Sequence, residues 1–271
     1  MAPTLIDLTQ PLDAEVHVYP GDPPFSCRQF YTVPSDGCSV HAISCSSHVG
    51  THIDAPSHFL VNGATVDQLP LSTFILPALI LDVSYKKARE CIAWDTVEPI
   101  AHRIRPGIAV LFRTGWSRYW RRTTTAPPSP DSREPTHHYF DHPWLATDVA
   151  EGLLALGVRV VGTDTMSPDQ SPLPISSVVG SNDGGGGSGS GGEVVTVGEE
   201  PISDYGFHFS FLGAGGIIVE NLTNLDILLA TQDAAKPGEE VIVSLLPLKI
   251  TGCDGAPVRA VAWLQPHGIF S

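Results

Sequence analysis

The most restrictive feature of this chain is the segment 48–59, HVGTHIDAPSHF, which sets His48, His52, Asp54 and His58 inside eleven positions. So many imidazole and carboxylate groups need water, hydrogen-bond partners or a cation around them. The four-residue step from His48 to His52 would put both rings on one face of a helix. Gly50 and Pro56 oppose a long regular helix, so the segment reads as a curled loop that gathers the two rings and adds Asp54 as an oxygen donor. The run CSVHAISCS (38–46) reads as a strand that delivers this loop at its end. His58, four positions past Asp54, has a ring suited to taking and returning a proton near neutral pH. It is the candidate base beside a metal centre. From the residues alone, a structural hydrogen-bonded loop stands as the alternative.

Around this segment, apolar runs alternate with breaks. TLIDLT (4–9) alternates as a half-buried strand does, and YPGDPP (19–24) is a turn or loop. FILPALILDVS (74–84) predicts a strand, with Pro77 pointing to an edge or a bulge. WDTVEPIAHRI (94–104) predicts a short helix or turn, while GIAVLFRTGW (107–116) and VRVVGTD (158–164) have the apolar continuity of buried strands. TDVAEGLLAL (147–156) has helical spacing; Asp148 suits the helix start and Gly157 its stop. The stretch 204–229 predicts a short helix or loop, then a strand at 217–219 and a helix near 222–229. EEVIVSLLPLKI (239–250) and APVRAVAWL (256–264) predict closing strands. This alternation predicts a mixed α/β or α+β fold built as one domain over 1–271. Two loop insertions are expected within it. The stretch 119–143, mixing aromatic, basic, Pro and Ser residues, reads as a surface excursion, and 178–193, VVGSNDGGGGSGSGGE, as a flexible projection.

Asp and Glu total 29 against 15 Lys and Arg, a formal charge of -14. That field gives a polyanion no reason to bind, so no nucleic acid partner is expected. The longest apolar run, ILPALIL (75–81), is too short to cross a membrane as a helix. The start, MAPTLIDLTQPLDAE, lacks a basic region followed by a long apolar run. Cys27, Cys38, Cys45, Cys91 and Cys253 are odd in number and form no CxxC pair, so they read as thiols in a reducing compartment. A cytoplasmic address is the expectation.

Farther along, His208 and Glu220 offer a nitrogen and an anionic oxygen that folding can bring across a cavity, a mixture suited to zinc and tolerant of manganese. They read equally as a core histidine between two phenylalanines and a helix-capping glutamate. Asp164 either orients a histidine or fixes a strand-to-turn junction. His17 and the pair His137/His138 read as loop histidines. Trp116, Tyr119 and Trp120 suit a wall for an aromatic substrate, a core or a subunit interface.

HVGTHIDAPSHF resembles the HxGTHxDAPxHF signature of the cyclase-like metal-dependent hydrolases, the family that includes bacterial kynurenine formamidases and isatin hydrolases. YPGDP, LFRTGW, HPWL, VRVVGTD and HFSFLGAGGIIVENLTNL continue the resemblance in order over most of the chain. It implies an α/β, swivelling β/β/α-type fold and a homodimer or higher homo-oligomer. It also implies that His48, His52 and Asp54 gather a divalent metal, Zn2+ or Mn2+, with His58 as the acid-base group. His208 and Glu220 complete the centre, and Asp54 is shared where a second ion binds; one or two ions are both compatible.

The expected activity is then cleavage of the C–N bond of a small amide, formamide or lactam. The cation raises the acidity of a water and polarises the carbonyl, and His58 protonates the departing group. One rival is a lyase or cyclase in which the metal stabilises an enolate and no water is added, a difference that product mass reveals. The other is a non-catalytic metal-binding or interaction protein, which a pocket closed to water would favour.

Overall fold

The apolar runs of the sequence become the middle of one sheet. The computed structural model describes residues 4–120, 139–172 and 205–266. Its strands in chain order are β1 (Ile6–Asp7), β2 (Ser26–Tyr31), β3 (Val40–Ser44), β4 (His52–Asp54), β5 (Ile75–Asp82), β6 (Cys91–Ile92) and β7 (Ala109–Arg113). There follow β8 (Trp144–Leu145), β9 (Val160–Thr163), β10 (Ile217–Glu220), β11 (Glu239–Ser244), β12 (Gly255–Pro257) and β13 (Val261–Pro266). The helices are α1 (Val33–Asp36), α2 (Trp94–Val97), α3 (Thr147–Ala155), α4 (Gly206–Gly213) and α5 (Leu225–Asp233). Among the described residues, nine strands join in the order β1-β13-β11-β5-β7-β9-β10-β4-β12, while β2 with β3 and β6 with β8 form separate pairs. This is the α/β arrangement expected from the sequence.

Both faces of the central strands are buried, which is why their sequences run apolar instead of alternating with polar residues. Along β7, Ala109 and Leu111 enter one layer, which α5 closes with Leu225 and Leu228. Val110 and Phe112 enter the other, closed by Val149, Ala150 and Leu153 of α3 and by Phe207, Phe211 and Leu212 of α4. Burying each large apolar side chain fully contributes ~1.5–3 kcal/mol. β5, β7, β9 and β10 run parallel, with Ala78, Ala109, Val160 and Ile217 in register.

Chain length forces this sheet to curl. β12 and β13 stand seven places apart in the strand order, about 34 Å on a flat sheet at the usual strand spacing. Only residues 258–260 connect them, and the four Cα steps from Pro257 to Val261 reach at most about 15 Å. The sheet ends must therefore approach each other. A bridge between Thr9, beside β1, and Leu222, beside β10, crosses the same gap.

Several elements differ in detail from expectation. Pro77 lies in an interior strand, yet opposite it only β11 is paired, because β7 joins from Ala78 onward. Its missing N–H thus sits on a local edge. APVRAVAWL divides into β12 and β13, which pair at opposite ends of the strand order. The helix expected near 222 begins at Leu225, since Asn221 and Asn224 hold left-handed φ values of 58° and 56° that a helix excludes. CSVHAISCS does form β3, but every residue of β2 and β3 is exposed, so the pair is a surface ribbon. Of the excursion at 119–143, residues 121–138, with His137 and His138, lie outside the described residues. Its described flanks are buried: Trp116, Tyr119 and Trp120 pack with Tyr139 and Phe140 in a third apolar cluster. The stretch 178–193 also lies outside the described residues. No helix among the described residues is long and apolar enough to cross a membrane.

Candidate metal centre

Strand pairing builds the centre. β4 runs antiparallel to β10, which sets His52 directly opposite Glu220 and Asp54 opposite Ile218. Alternation along a strand puts His52 and Asp54 on one face, while Ile53 and Val219 enter the core layer on the other. Gly50, with φ of 62°, turns the chain into β4, and its carbonyl accepts the His52 Nδ1–H at 2.8 Å. His52 Nε2 is thereby left bare, 3.3 Å from Asp54 Oδ1 and 3.4 Å from Glu220 Oε2.

His208 reaches the same point from α4. The Asp169 carboxylate accepts the backbone N–H groups of Phe207 and His208 at 2.9 and 3.0 Å and bonds His208 Nδ1. One carboxylate thus ties down the helix start and aims the ring. His208 Nε2 then lies 3.4 Å from Asp54 Oδ2 and 3.3 Å from Glu220 Oε1. On the outer side His48 Nδ1 lies 2.8 Å from Asp54 Oδ1. Asp54 therefore meets His48 and His52 at one oxygen and His208 at the other, while Glu220 reaches both His52 and His208. His58, at the end of a 3-10 turn that starts at Pro56, brings a donor atom within 4.8 Å of those of Asp54 and His208.

His52 Nε2 and Asp54 Oδ2 are buried and make no hydrogen bond. Two bare, electron-rich atoms inside a protein are costly, and a divalent cation satisfies both. Their residue types, nitrogen and carboxylate oxygen, suit such an ion.

The electrostatics agree. Burial pulls the His48 imidazolium pKa down, but hydrogen bonds to Asp254 and Asp54 outweigh it and push it up to about 10. Burial likewise opposes charge on His208, while Asp169, Asp54 and Glu220 hold its pKa well above the ordinary value. For Asp54, burial favours the neutral acid, yet His208, His48 and His52 keep it ionised, far below the usual carboxylate range. Glu220 moves upward through burial and repulsion from Asp54. These carboxylates attract positive charge, and a cation entering here would displace the protons on His48 and His208.

The centre opens into a cavity of about 440 Å³, within the ~300–1,000 Å³ span of small-molecule sites. His48, His58, His208 and Glu220 line its polar part, and Tyr19, Phe59, Met166 and Tyr205 its walls. Phe59 stacks on His208 with centroids 4.7 Å apart, and the Tyr19 and Tyr205 hydroxyls meet at 2.9 Å. The aromatic wall is thus supplied by residues other than Trp116, Tyr119 and Trp120, which pack in the core.

Asp164 accepts bonds from Thr114 N, Thr114 Oγ1 and Gly115 N at 2.8, 2.6 and 2.8 Å, the strand-to-turn role. His17 stacks on Tyr139 and belongs to none of the candidate donor groups among the described residues. Asp169 and Asp254 escaped the sequence reading; the one local signal for either is the Asp254-Gly255 pair just before an expected strand.

A kynurenine formamidase from Geobacillus thermodenitrificans is 32% identical over 257 residues, covering 94% of this chain and 95% of its own. One from Paracidovorax citrulli is 30% identical over 264 residues, covering 95% of each. The fold matches that of isatin hydrolase A from Labrenzia aggregata with a TM-score of 0.70 at 24% identity, over 97% of this chain and 94% of that one. The Cyclase family model, described as "Putative cyclase", matches residues 6–170. The chain therefore belongs to the cyclase family of metal-dependent hydrolases.

Proposed function

We propose that this protein hydrolyses the C–N bond of a small amide, formamide or lactam, aromatic ones included, at a divalent cation held by His48, His52, Asp54, His208 and Glu220. The observation that carries this reading is the pair of buried, unbonded atoms, His52 Nε2 and Asp54 Oδ2, lying 3.4 Å from the Glu220 and His208 side chains that line an open cavity. The relatives support the bond class, being named for a formamide and, in the structural match, for isatin, a cyclic amide. When bound, the cation supplies Lewis acidity that makes a water nucleophilic and a carbonyl electrophilic. His58 beside it takes the proton that the water gives up and hands it to the departing nitrogen. Phe59, Tyr19 and Tyr205 receive a flat substrate and limit the access of bulk water. Zn2+ suits the donor set best and Mn2+ also fits; donors at both oxygens of Asp54 accommodate one ion or two.

The same reading includes a homodimer or higher homo-oligomer and a cytoplasmic setting. The exposed Phe30, Tyr31, Val33, Val40 and Ile43 around the β2/β3 ribbon support assembly, and five free cysteines support a reducing compartment. Light scattering tests the first.

The deciding experiment supplies aryl formamides, lactams and cyclic imides to metal-loaded protein and identifies products by mass. Hydrolysis adds one water. His52→Ala is expected to lose metal, whereas His58→Ala keeps more of it while turnover falls ~10²–10⁴-fold. Equal metal retention and unchanged turnover in both variants would remove the assigned roles.

A further inference from the structure

We propose that Asp254 is a positioning residue that fixes the tautomer of His58, directing a bare His58 Nε2 to the cavity, while it holds the outer nitrogen of His48. The inference rests on the reading of His58 as the proton-transfer group. Asp254 Oδ2 lies 3.1 Å from His48 Nε2 and 3.3 Å from His58 Nδ1. An ionised carboxylate can only accept hydrogen bonds, so both rings must present N–H groups to it. A neutral imidazole carries one such hydrogen, and its second nitrogen is then free to ligate or to take a proton. The two rings stand 4.0 Å apart and tilted by only 33°, so their edges reach the same oxygen together.

The carboxylate is fixed from three directions. Its other oxygen accepts the Ser47 hydroxyl at 2.9 Å and the Cys253 thiol at 3.6 Å. Its backbone carbonyl accepts Ala55 N–H at 2.8 Å. Immediately after it, Gly255 pairs with Asp54 across β12 and β4. Asp254 thereby links the outer face of a candidate ligand to the candidate base, without touching the reacting atoms itself. His48, His58 and Asp254 also lie close enough to hold an ion among themselves, an arrangement that would strip the hydrogen from His58 Nδ1.

The test is 15N NMR of histidine-labelled, zinc-loaded protein, with His58 assigned through His58→Gln. The proposal expects the wild-type His58 ring to carry its hydrogen on Nδ1. In Asp254→Asn the amide offers an N–H where a second acceptor stood, so His58 shifts toward the Nε2–H form. With an aryl formamide at saturating zinc, kcat then falls ~10–100-fold while KM stays within about twofold; Asp254→Glu recovers part of kcat. A wild-type His58 protonated on Nε2, or with zinc on Nδ1, overturns the proposal. So does an Asp254→Asn protein with an unchanged tautomer and kcat. The wild-type spectrum decides even if a variant fails to fold. Absence of turnover on every substrate would instead count against the hydrolase reading and leave the tautomer result standing.

Discussion

Replacing Gly255 by alanine tests whether β12 must lie against the His48 ring. The added Cβ would stand 2.7 Å from the Ile53 carbonyl oxygen, 2.8 Å from His48 Cε1 and 3.2 Å from His48 Nδ1. Ordinary contact begins at 3.4 Å, so the first of these must open by about 0.7 Å, the difference between the two distances. Neither neighbour yields freely: the carbonyl belongs to the backbone of a paired strand, and the ring is bonded on both sides, to Asp54 and Asp254. Overpacking of this kind costs ~1–3 kcal/mol. If His48 is a ligand, displacing its ring from the outer hydrogen bond is expected to lower metal affinity ~10–100-fold. Urea unfolding without metal reads the first quantity, and zinc competition against a chromophoric chelator reads the second. Gly213, at the end of α4, has open space around it, so Gly213→Ala serves as the control, gaining up to ~1 kcal/mol with zinc affinity unchanged. Wild-type stability and zinc affinity in Gly255→Ala would refute the close approach and the orientation of His48 drawn from it.

Asp169→Ala removes both the tether on the α4 start and the partner of His208. It is expected to lower stability by ~0.5–2 kcal/mol in urea unfolding and to weaken metal binding in isothermal calorimetry. His142, which is not one of the candidate donors, supplies a pH test: burial drives its pKa down to about 4 from an ordinary 6.5. Between these values the unfolded chain takes up a proton that the folded one refuses, so the contribution is full above 6.5 and lost as pH falls to 4. At ~1.4 kcal/mol per pH unit, the loss is ~3 kcal/mol. Unfolding titrations of His142→Gln should show a flatter acid limb than wild type, and identical limbs would contradict the assignment.

The sequence disclosed most where geometry is local. His48, His52, Asp54 and His58 belong to one short segment, so a single curl brings them together. His208 and Glu220 meet them only through α4 and the β4/β10 pairing, which no spacing along the chain encodes; the family resemblance supplied them. Asp169 and Asp254 were lost because a lone aspartate in a polar turn resembles any solvated one. Burial of the central strands was legible from their unbroken apolar runs. The exposure of β3 was not, since CSVHAISCS has the alternation of a strand with a covered face. Trp116, Tyr119 and Trp120 stayed open among three roles because the size of an aromatic ring predicts burial, not what will cover it.

The antiparallel alignment of β4 with β10 carries a consequence for quality control. Sliding one strand by a single residue would swing His52 and Asp54 away from their partners and thrust Ile53 out of the hydrophobic interior in the same movement. Misaligned molecules would lose cohesion along with chemistry. The alignment that assembles the reactive groups is also the one that keeps the protein folded, so faulty copies would announce themselves to the cell's proteases instead of lingering as sound but idle enzyme.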